Sequence, residues 1–324
     1  MRNFDWVDAT SVEHAATLLV DGGGRTVAKA GGLDLLDLMK EGVLKPSRLV
    51  NLKSIDALHG IRMDAYQGLY LGALTTLAEI AAHPLIDERY AALSAAASHA
   101  ATPQIRNVAT LGGNLLQRPR CWYFRNELLH RSSGDVQASL GEYQYHAIFD
   151  NANNAMVHAS TPATALIAYG AIVHLQGMQG RTRAVALEDL LLPPDAARDR
   201  DAAIDRDEIL THIIVPPTLP GTRAAYSKQT ERDSYDWPIC DVAVALTLNE
   251  RVIKAASIVV GSVAPTPMRA SVAEALLKGQ EMNAELASEA ARKVVARATP
   301  FPSNAYKVPV LEAVLRRTLL AAAG

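Results

Sequence analysis

The sequence predicts a mixed α+β fold in two parts, an N-terminal domain over residues 1–220 and a small C-terminal domain over 221–324. Three observations predict it. Short strand-like and helix-like runs alternate through the first half of the chain. The stretch PPTLPG at 216–221 is the strongest punctuation, since proline and glycine both interrupt regular structure. Beyond it, three strand-like runs precede long helix-forming sequence, the pattern of a three-stranded antiparallel sheet backed by helices.

The elements follow in order. A short helix over 14–20 is opened by Thr10 or Ser11 as its cap. TVAKA at 26–30 reads as a strand, Gly31-Gly32 breaks it, LDLLDLMKE at 33–41 has helical spacing, and RLVNL at 48–52 is the next strand. This makes a small β-α-β unit ending near residue 55. A second block begins with paired strands at 59–63 and 69–74, joined by the turn 64–68. Helices are expected at 76–82 and 86–100, and short strands at 156–157, 171–175 and 183–185. The segment 193–208 is proline-bearing and heavily charged, as in a solvated loop. In the C-terminal part the three strands fall at 223–228, 242–249 and 253–260. Helices at 270–278, 283–298 and 308–323 complete it.

Bulk properties exclude several function classes. With 32 basic and 34 acidic residues the net charge is −2, which gives no electrostatic basis for a nucleic-acid partner or an anionic membrane. No apolar run reaches the roughly 18 residues a membrane helix needs, and direct membrane insertion is not expected. The first residues carry Asp5, Asp8 and Glu13 and no apolar stretch of a secretory signal, so a cytoplasmic location is expected. Cys121 and Cys240 match no CxxC spacing, and no HExxH or other clustered ligand set suggests a metal. The nine histidines are scattered and are expected in structural or surface roles. No nucleophile–base–orienter set points to a hydrolase, and no catalytic residue is assigned.

The chemistry-bearing features are two glycine pairs. Glycine lets successive backbone N–H groups turn toward an anion, and a helix starting near Leu33 adds its own unpaired donors and dipole. Thr110 and Asn114 flank the second pair, Gly112-Gly113, with a hydroxyl and an amide. Two such loops suit the adjacent phosphates of a dinucleotide. On the residues alone a single pair reads better as a tight turn, and the two together read equally well as turns or as an anion site.

The neighbouring motifs add a resemblance. KAGGLDLLDLMKEG (29–42), QIRNVATLGGNLLQRPRC (104–121) and YSKQTERDSYDWPICDVAVAL (226–246) are similar to the FAD-binding medium subunit of the molybdenum hydroxylases. That family includes xanthine dehydrogenases, aldehyde oxidoreductases and carbon monoxide dehydrogenases. The likeness covers essentially the whole chain in one order, including the turn GSVAPTPMRA (261–270). It implies a fold of the vanillyl-alcohol-oxidase (PCMH) type. Two lobes, about 1–55 and 56–220, would grip FAD, and a small flavoprotein domain would follow.

By the same resemblance, Lys29, Ala30, Gly31, Gly32, Leu33, Asp34 and Leu35 form the first pyrophosphate loop. Thr110, Gly112, Gly113 and Asn114 form the second, continued by Gln117. Ser160 and Thr161 lie near the adenosine or pyrophosphate end, and Lys228 lies near the flavin. The resemblance further implies a heterotrimer, with a large molybdopterin-binding subunit oxidising an aldehyde or N-heterocycle. A small subunit would pass electrons through two [2Fe–2S] clusters to the FAD, and from there to an external acceptor. Export of a folded complex on a partner's signal would place it in the periplasm instead.

Three positions depart from the family pattern. Leu33 stands where threonine is usual, which should weaken FAD binding without abolishing it, and Thr161 stands where aspartate is common, so a charged contact becomes a neutral one. The stretch NLLQRPRC resembles the branch that carries an extra [4Fe–4S] cluster, but 121–147 holds no second cysteine, so that cluster is expected to be absent. Trp122, Tyr123, Tyr235 and Trp237 are candidates to pack near the flavin. A free-standing FAD oxidase and a scaffold subunit that has lost FAD are the competing readings.

Overall fold

The computed structural model describes residues 1–126, 141–151, 155–193 and 201–324. His130 and positions 194–200 of the charged segment lie outside the described residues.

The first layer is a three-stranded parallel sheet. It is built from β1 (Asp5–Asp8), β2 (Thr26–Lys29) and β3 (Arg48–Asn51) in the order β1-β3-β2, with α1 (Val12–Asp21) and α2 (Leu33–Lys40) as crossovers. The Ser11 hydroxyl accepts from the His14 N–H and caps α1. Strand β1 was not anticipated: DWVD is largely exposed and short, so it carries no buried alternation to detect.

The second layer is a five-stranded antiparallel sheet in the order β4-β5-β8-β6-β7. Its strands are β4 (Ile61–Met63), β5 (Leu69–Gly72), β6 (Ile172–Gln176), β7 (Thr182–Ala186) and β8 (Ile209–Val215). β8 was missed in the sequence although it pairs with both β5 and β6, because its central Thr211-His212 breaks the apolar run. The strand expected at 156–157 is instead irregular chain.

α3 (Leu77–Ala82) opens with a capping box between Thr76 and Glu79. The single helix expected over 86–100 is two, α4 (Pro84–Arg89) and α5 (Ala91–Ser98). They break at Tyr90, which leaves helical geometry (φ −133°, ψ 48°) so that its buried ring can reach across and its hydroxyl donate to Pro216 O at 3.0 Å. Among the described residues this part also holds the short helices α6 (Pro103–Arg106), α7 (Leu111–Leu115), α8 (Thr161–Ala168) and α9 (Leu187–Leu190).

The C-terminal sheet has four strands, not three: β9 (Thr222–Gln229), β10 (Cys240–Asn249), β11 (Val252–Gly261) and the two-residue edge strand β12 (Met268–Arg269), in the order β12-β11-β10-β9. β12 is too short for a periodic signal; it is drawn to Val259 and Val260, and the Arg269 guanidinium is fixed by Ser257, Glu274 and Glu188. α10 (Ser271–Leu277), α11 (Ala284–Val295) and α12 (Lys307–Ala323) cover one face.

Alternation along β10 explains how the parts join. Val242, Val244 and Leu246 enter the core beneath α10–α12, whereas Ala243, facing the other way, belongs with Val259 to the core of the five-stranded sheet, α5 and α8. A small side chain at 243 lets that second face approach closely. The apolar core is therefore continuous across the proline-rich link at 216–221. Among the described residues no helix is long and apolar enough to cross a membrane.

Candidate cofactor site

The β2–α2 turn carries the first glycine pair. Gly32 has φ +84°, a left-handed geometry that suits glycine, and it is the N-cap of α2 with no side-chain cap. First-turn N–H groups have no intrahelical acceptor, so those of Leu33, Asp34 and Leu35 are open to an anion. Gly31 makes a closer demand: a Cβ there would lie 2.4 Å from Val108 O. The first turn thus touches the backbone two residues before Thr110, and the fold brings the two glycine segments together.

The second pair differs from expectation. Gly112-Gly113 lies inside α7, not in an open loop. Leu111 N donates to Thr75 O and Gly112 N to Ala73 O, both at 2.8 Å, while Gly113 N donates to the capping Thr110 hydroxyl at 3.3 Å. These N–H groups are spent within the protein, so the anion-nest reading of this pair is corrected. The glycines serve close packing instead, since a Cβ on Gly112 would press on Ala73 O and Cβ at 3.1 Å. What this turn can offer a ligand is Asn114, whose Oδ1 accepts from the Ser160 hydroxyl at 2.6 Å, leaving its amide N–H groups as donors.

The other predicted residues divide into two groups. Gln117 folds back, donating to Asn114 O at 2.9 Å and accepting from Arg120 at 3.4 Å. Lys29 sits with its amine 5.0 Å above the Trp6 ring, and burial beside Lys53 lowers its pKa. Ala30 packs on the core beneath the first sheet. Ser160 caps α8 and reaches Asn114, so it joins the site. Thr161 and Lys228 are turned elsewhere. The buried Thr161 hydroxyl donates to Ala96 O at 3.0 Å. The Lys228 amine donates to His99 O at 2.6 Å and Asp236 O at 2.9 Å, strapping the segment after β9 to the end of α5; burial lowers its pKa.

Arginines to which the sequence assigned no role complete the site. Arg125 reaches Asp34 at 2.5 Å and Asp37 at 2.7 Å, and Arg120 reaches Asp34 at 3.1 Å. Arg118 donates its N–H to Asp34 at 3.0 Å and pairs through its side chain with Asp201. The detectable signal was three arginines between 118 and 125, directly after the glycine pair and opposite the acidic start of α2. Asp201, and Glu208 buried against Arg183, also show that the charged segment is not wholly a solvated loop. Arg125→Ala should cost about 1–3 kcal/mol of stability, because Asp34 and Asp37 lose charge-assisted bonds while Arg120 still compensates. Denaturant unfolding of the variant checks this.

The expectation for the histidines meets specific geometry. His158 is buried with Nε2 3.0 Å from Leu115 O, and burial lowers its pKa, so the neutral ring donates to that carbonyl. His174 and His212 stack at 4.2 Å across β6 and β8. Among the described residues no group of three or more His, Cys, Asp or Glu side chains could hold a metal ion.

Comparison with known proteins places this geometry. Residues 2–218 match the family described as the FAD binding domain in molybdopterin dehydrogenase, and residues 224–322 match the CO dehydrogenase flavoprotein C-terminal domain. The chain is 31% identical over 295 residues to the aldehyde oxidoreductase FAD-binding subunit PaoB of Escherichia coli K12, covering 90% of this chain and 89% of that one. It is 29% identical to the 6-hydroxypseudooxynicotine dehydrogenase complex subunit alpha of Paenarthrobacter nicotinovorans, covering 98% and 93%. In three dimensions it superposes on a chain of carbon monoxide dehydrogenase from Hydrogenophaga pseudoflava with a TM-score of 0.78 at 25% identity, covering 99% and 97%. Two family matches that together span nearly the whole chain, and a relative above 30% identity, make it an oxidoreductase subunit of the FAD-binding medium-subunit family of the molybdenum hydroxylases.

Proposed function

We propose that this chain holds FAD in a heterotrimeric molybdenum hydroxylase and relays electrons from [2Fe–2S] clusters of a small subunit to an external acceptor. A large molybdopterin subunit oxidises the aldehyde or N-heterocycle. The observation that carries the reading is the uncapped N-terminus of α2, held by Gly31 in backbone contact with the segment leading to Asn114. That cradle fits a pyrophosphate: open N–H donors and a helix dipole on one side, an amide on the other. The arginine cluster at 118–125, tied to Asp34 and Asp37, fixes the wall of the cradle. Bound FAD supplies the two-electron and one-electron exchange that no side chain here provides. The protein's part is to bind, orient and exclude water.

The reading extends to the vanillyl-alcohol-oxidase type of lobe arrangement and to a division near 220 between FAD-binding and C-terminal domains. Thr161 and Lys228 act through the seam between those domains, positioning α8 and the 229–239 segment near the cofactor. Leu33, half exposed at the first position of α2, lacks the hydroxyl that a threonine would add. Leu33→Thr should tighten FAD by about 2- to 10-fold, the worth of one added hydrogen bond, which cofactor titration of the apoprotein checks.

The deciding experiment is purification of the chain with its co-expressed large and small subunits. Expected are the visible absorption of oxidised flavin, FAD released on denaturation, and three bands in constant ratio. A chain that copurifies with partners but without flavin would establish the scaffold reading. Turnover of an alcohol by the isolated chain would establish a free-standing oxidase. Iron in the isolated subunit should be absent, because one cysteine in this region cannot hold a cluster.

A further inference from the structure

Four planar groups stand in a row across the five-stranded sheet. The Arg62 guanidinium on β4 covers the Tyr70 ring of β5 at 3.4 Å, and Tyr70 stacks on His212 of β8 at 4.7 Å. His212 in turn stacks on His174 of β6 at 4.2 Å, with the rings 12° from parallel. The two histidines are direct partners in the ladder, so both rings lie on one face, opposite to Val173 and Ile213 in the main core. That face meets the first layer of the fold. α1 packs on β8, and its Val12 shares a small core with Leu58 and with Ile209 of β8. A crevice of about 300 Å³ runs between them, with Val12 and Leu58 on one wall and Tyr70, His174, Thr211 and His212 on the other.

Hydrogen bonds fix the tautomer of His212. The Thr211 hydroxyl donates to His174 O at 3.1 Å, so its oxygen accepts from His212 Nδ1–H at 2.9 Å. The neutral ring keeps its lone pair on Nε2, where a second proton would go. Among the described residues neither that nitrogen nor the His174 ring is hydrogen-bonded, so a charged ring there gains no acceptor. The groups facing the pair supply no counter-ion either. Arg62 heads the row as a fixed cation, Glu13 on α1 is bonded to Gln176, and His14 on α1 to Thr10. Asp56 and His59, in and after the turn that carries Leu58, are exposed, and Asp207 beside the β6–β7 turn pairs with Arg181 at 3.0 Å. Burial, then the facing His174 and Arg62, lowers the His212 imidazole to about 4, and burial lowers that of His174. Because both are lowered by folding, the stability they contribute is present above the ordinary imidazole range near ~6.5 and is lost as pH falls through about 4.

We propose that the His174–His212 pair is an acid-operated latch between α1 and the five-stranded sheet. Neutral, the stacked rings hold α1 against β8. Protonated, they set two cations face to face in line with Arg62; the rings splay, water enters the crevice and α1 lifts away. The step takes one proton from solvent onto each ring and breaks no covalent bond. Its consequence for the cofactor rests on the reading of the chain as an FAD subunit. α1 and α2 flank one three-stranded sheet, so lifting α1 draws the α2 N-terminus from Val108 and Asn114 and opens the cradle.

Hydrogen exchange of the purified complex at about pH 6.5 and about pH 4.5, corrected for intrinsic exchange rates, reads the latch directly. α1 should lose protection by about tenfold or more over that interval, while α11 in the C-terminal core changes by less than about twofold. His212→Phe keeps a stacking ring and His212→Gln keeps polarity, and neither titrates; in both, the loss on α1 should shrink to about threefold or less. FAD release, followed by flavin fluorescence, should have its midpoint in the same interval and move to lower pH in both variants. An equal loss on α1 in variants and wild type would overturn the proposal. So would α1 and α11 losing protection together, the mark of global acid unfolding. Exchange as expected with an unmoved FAD midpoint would overturn the link to the cofactor. A complex purified without flavin would overturn the FAD reading and leave α1 exchange to decide the latch.

Discussion

Gly31→Ala is expected to lower FAD affinity by about 5- to 150-fold. The added Cβ would sit 2.4 Å from Val108 O, well inside van der Waals contact, and the obstacle is backbone that cannot rotate away. Either the β2–α2 turn or the segment before Thr110 must move. Overpacking of this kind costs about 1–3 kcal/mol, and here it falls on the distance between the α2 N-terminus and Asn114. Titration of the apoprotein with FAD measures the effect. A thermal melt of the apoprotein separates it from general unfolding, which should shift less than cofactor affinity does. Unchanged FAD affinity would show that contact between the two turns does not set the site.

The second large effect lies at the seam between the two parts of the chain. Asp241 on β10 is buried, with one oxygen accepting from the Ser262 hydroxyl at 3.0 Å and the other from the Tyr226 hydroxyl at 3.3 Å. Burial pushes its pKa up to about 6, against hydrogen bonds that pull it down. The folded state therefore holds this proton more tightly than the unfolded chain, where the carboxyl titrates near ~4. The stability it contributes is fully present below about pH 4 and is lost as pH rises to about 6, on the order of 3 kcal/mol in all.

Asp241→Asn keeps the shape and removes the charge. At pH 7 the variant should melt higher by about 2–4 °C for each kcal/mol recovered, and at pH 4 the two proteins should melt alike. Melts between pH 4 and 7 suffice. At higher pH the buried Lys307 amine, lowered to about 8, contributes the opposite slope, stability rising as pH increases from there. Equal pH slopes in the two proteins would locate the titrating group elsewhere.

Elements with strong local signals were legible in the sequence. α1 and α3 have side-chain caps, α2 has helical spacing directly after a glycine pair, and β9, β10 and β11 have length and alternation. Those missed are short or interrupted. β1 is exposed, β12 has two residues, and β8 carries Thr-His at its centre; each is a strand because a neighbour supplies its hydrogen bonds. The helix broken at Tyr90 follows the same rule, since its ring and hydroxyl are satisfied across the fold.

By itself the sequence determined the family, through QIRNVATLGGN and its companion motifs, and the turn at Gly31-Gly32, because glycine chemistry is local. Tertiary structure decided which groups remain available to a ligand. Gly112 and Gly113 looked like donors in the sequence, but Ala73, Thr75 and Thr110 consume the N–H groups of that turn. Arg118, Arg120 and Arg125 carried no assigned role in the sequence, but they close on Asp34 and Asp37. A hydrogen bond binds a ligand only if nothing nearer has taken it, and what is nearer is fixed by the fold.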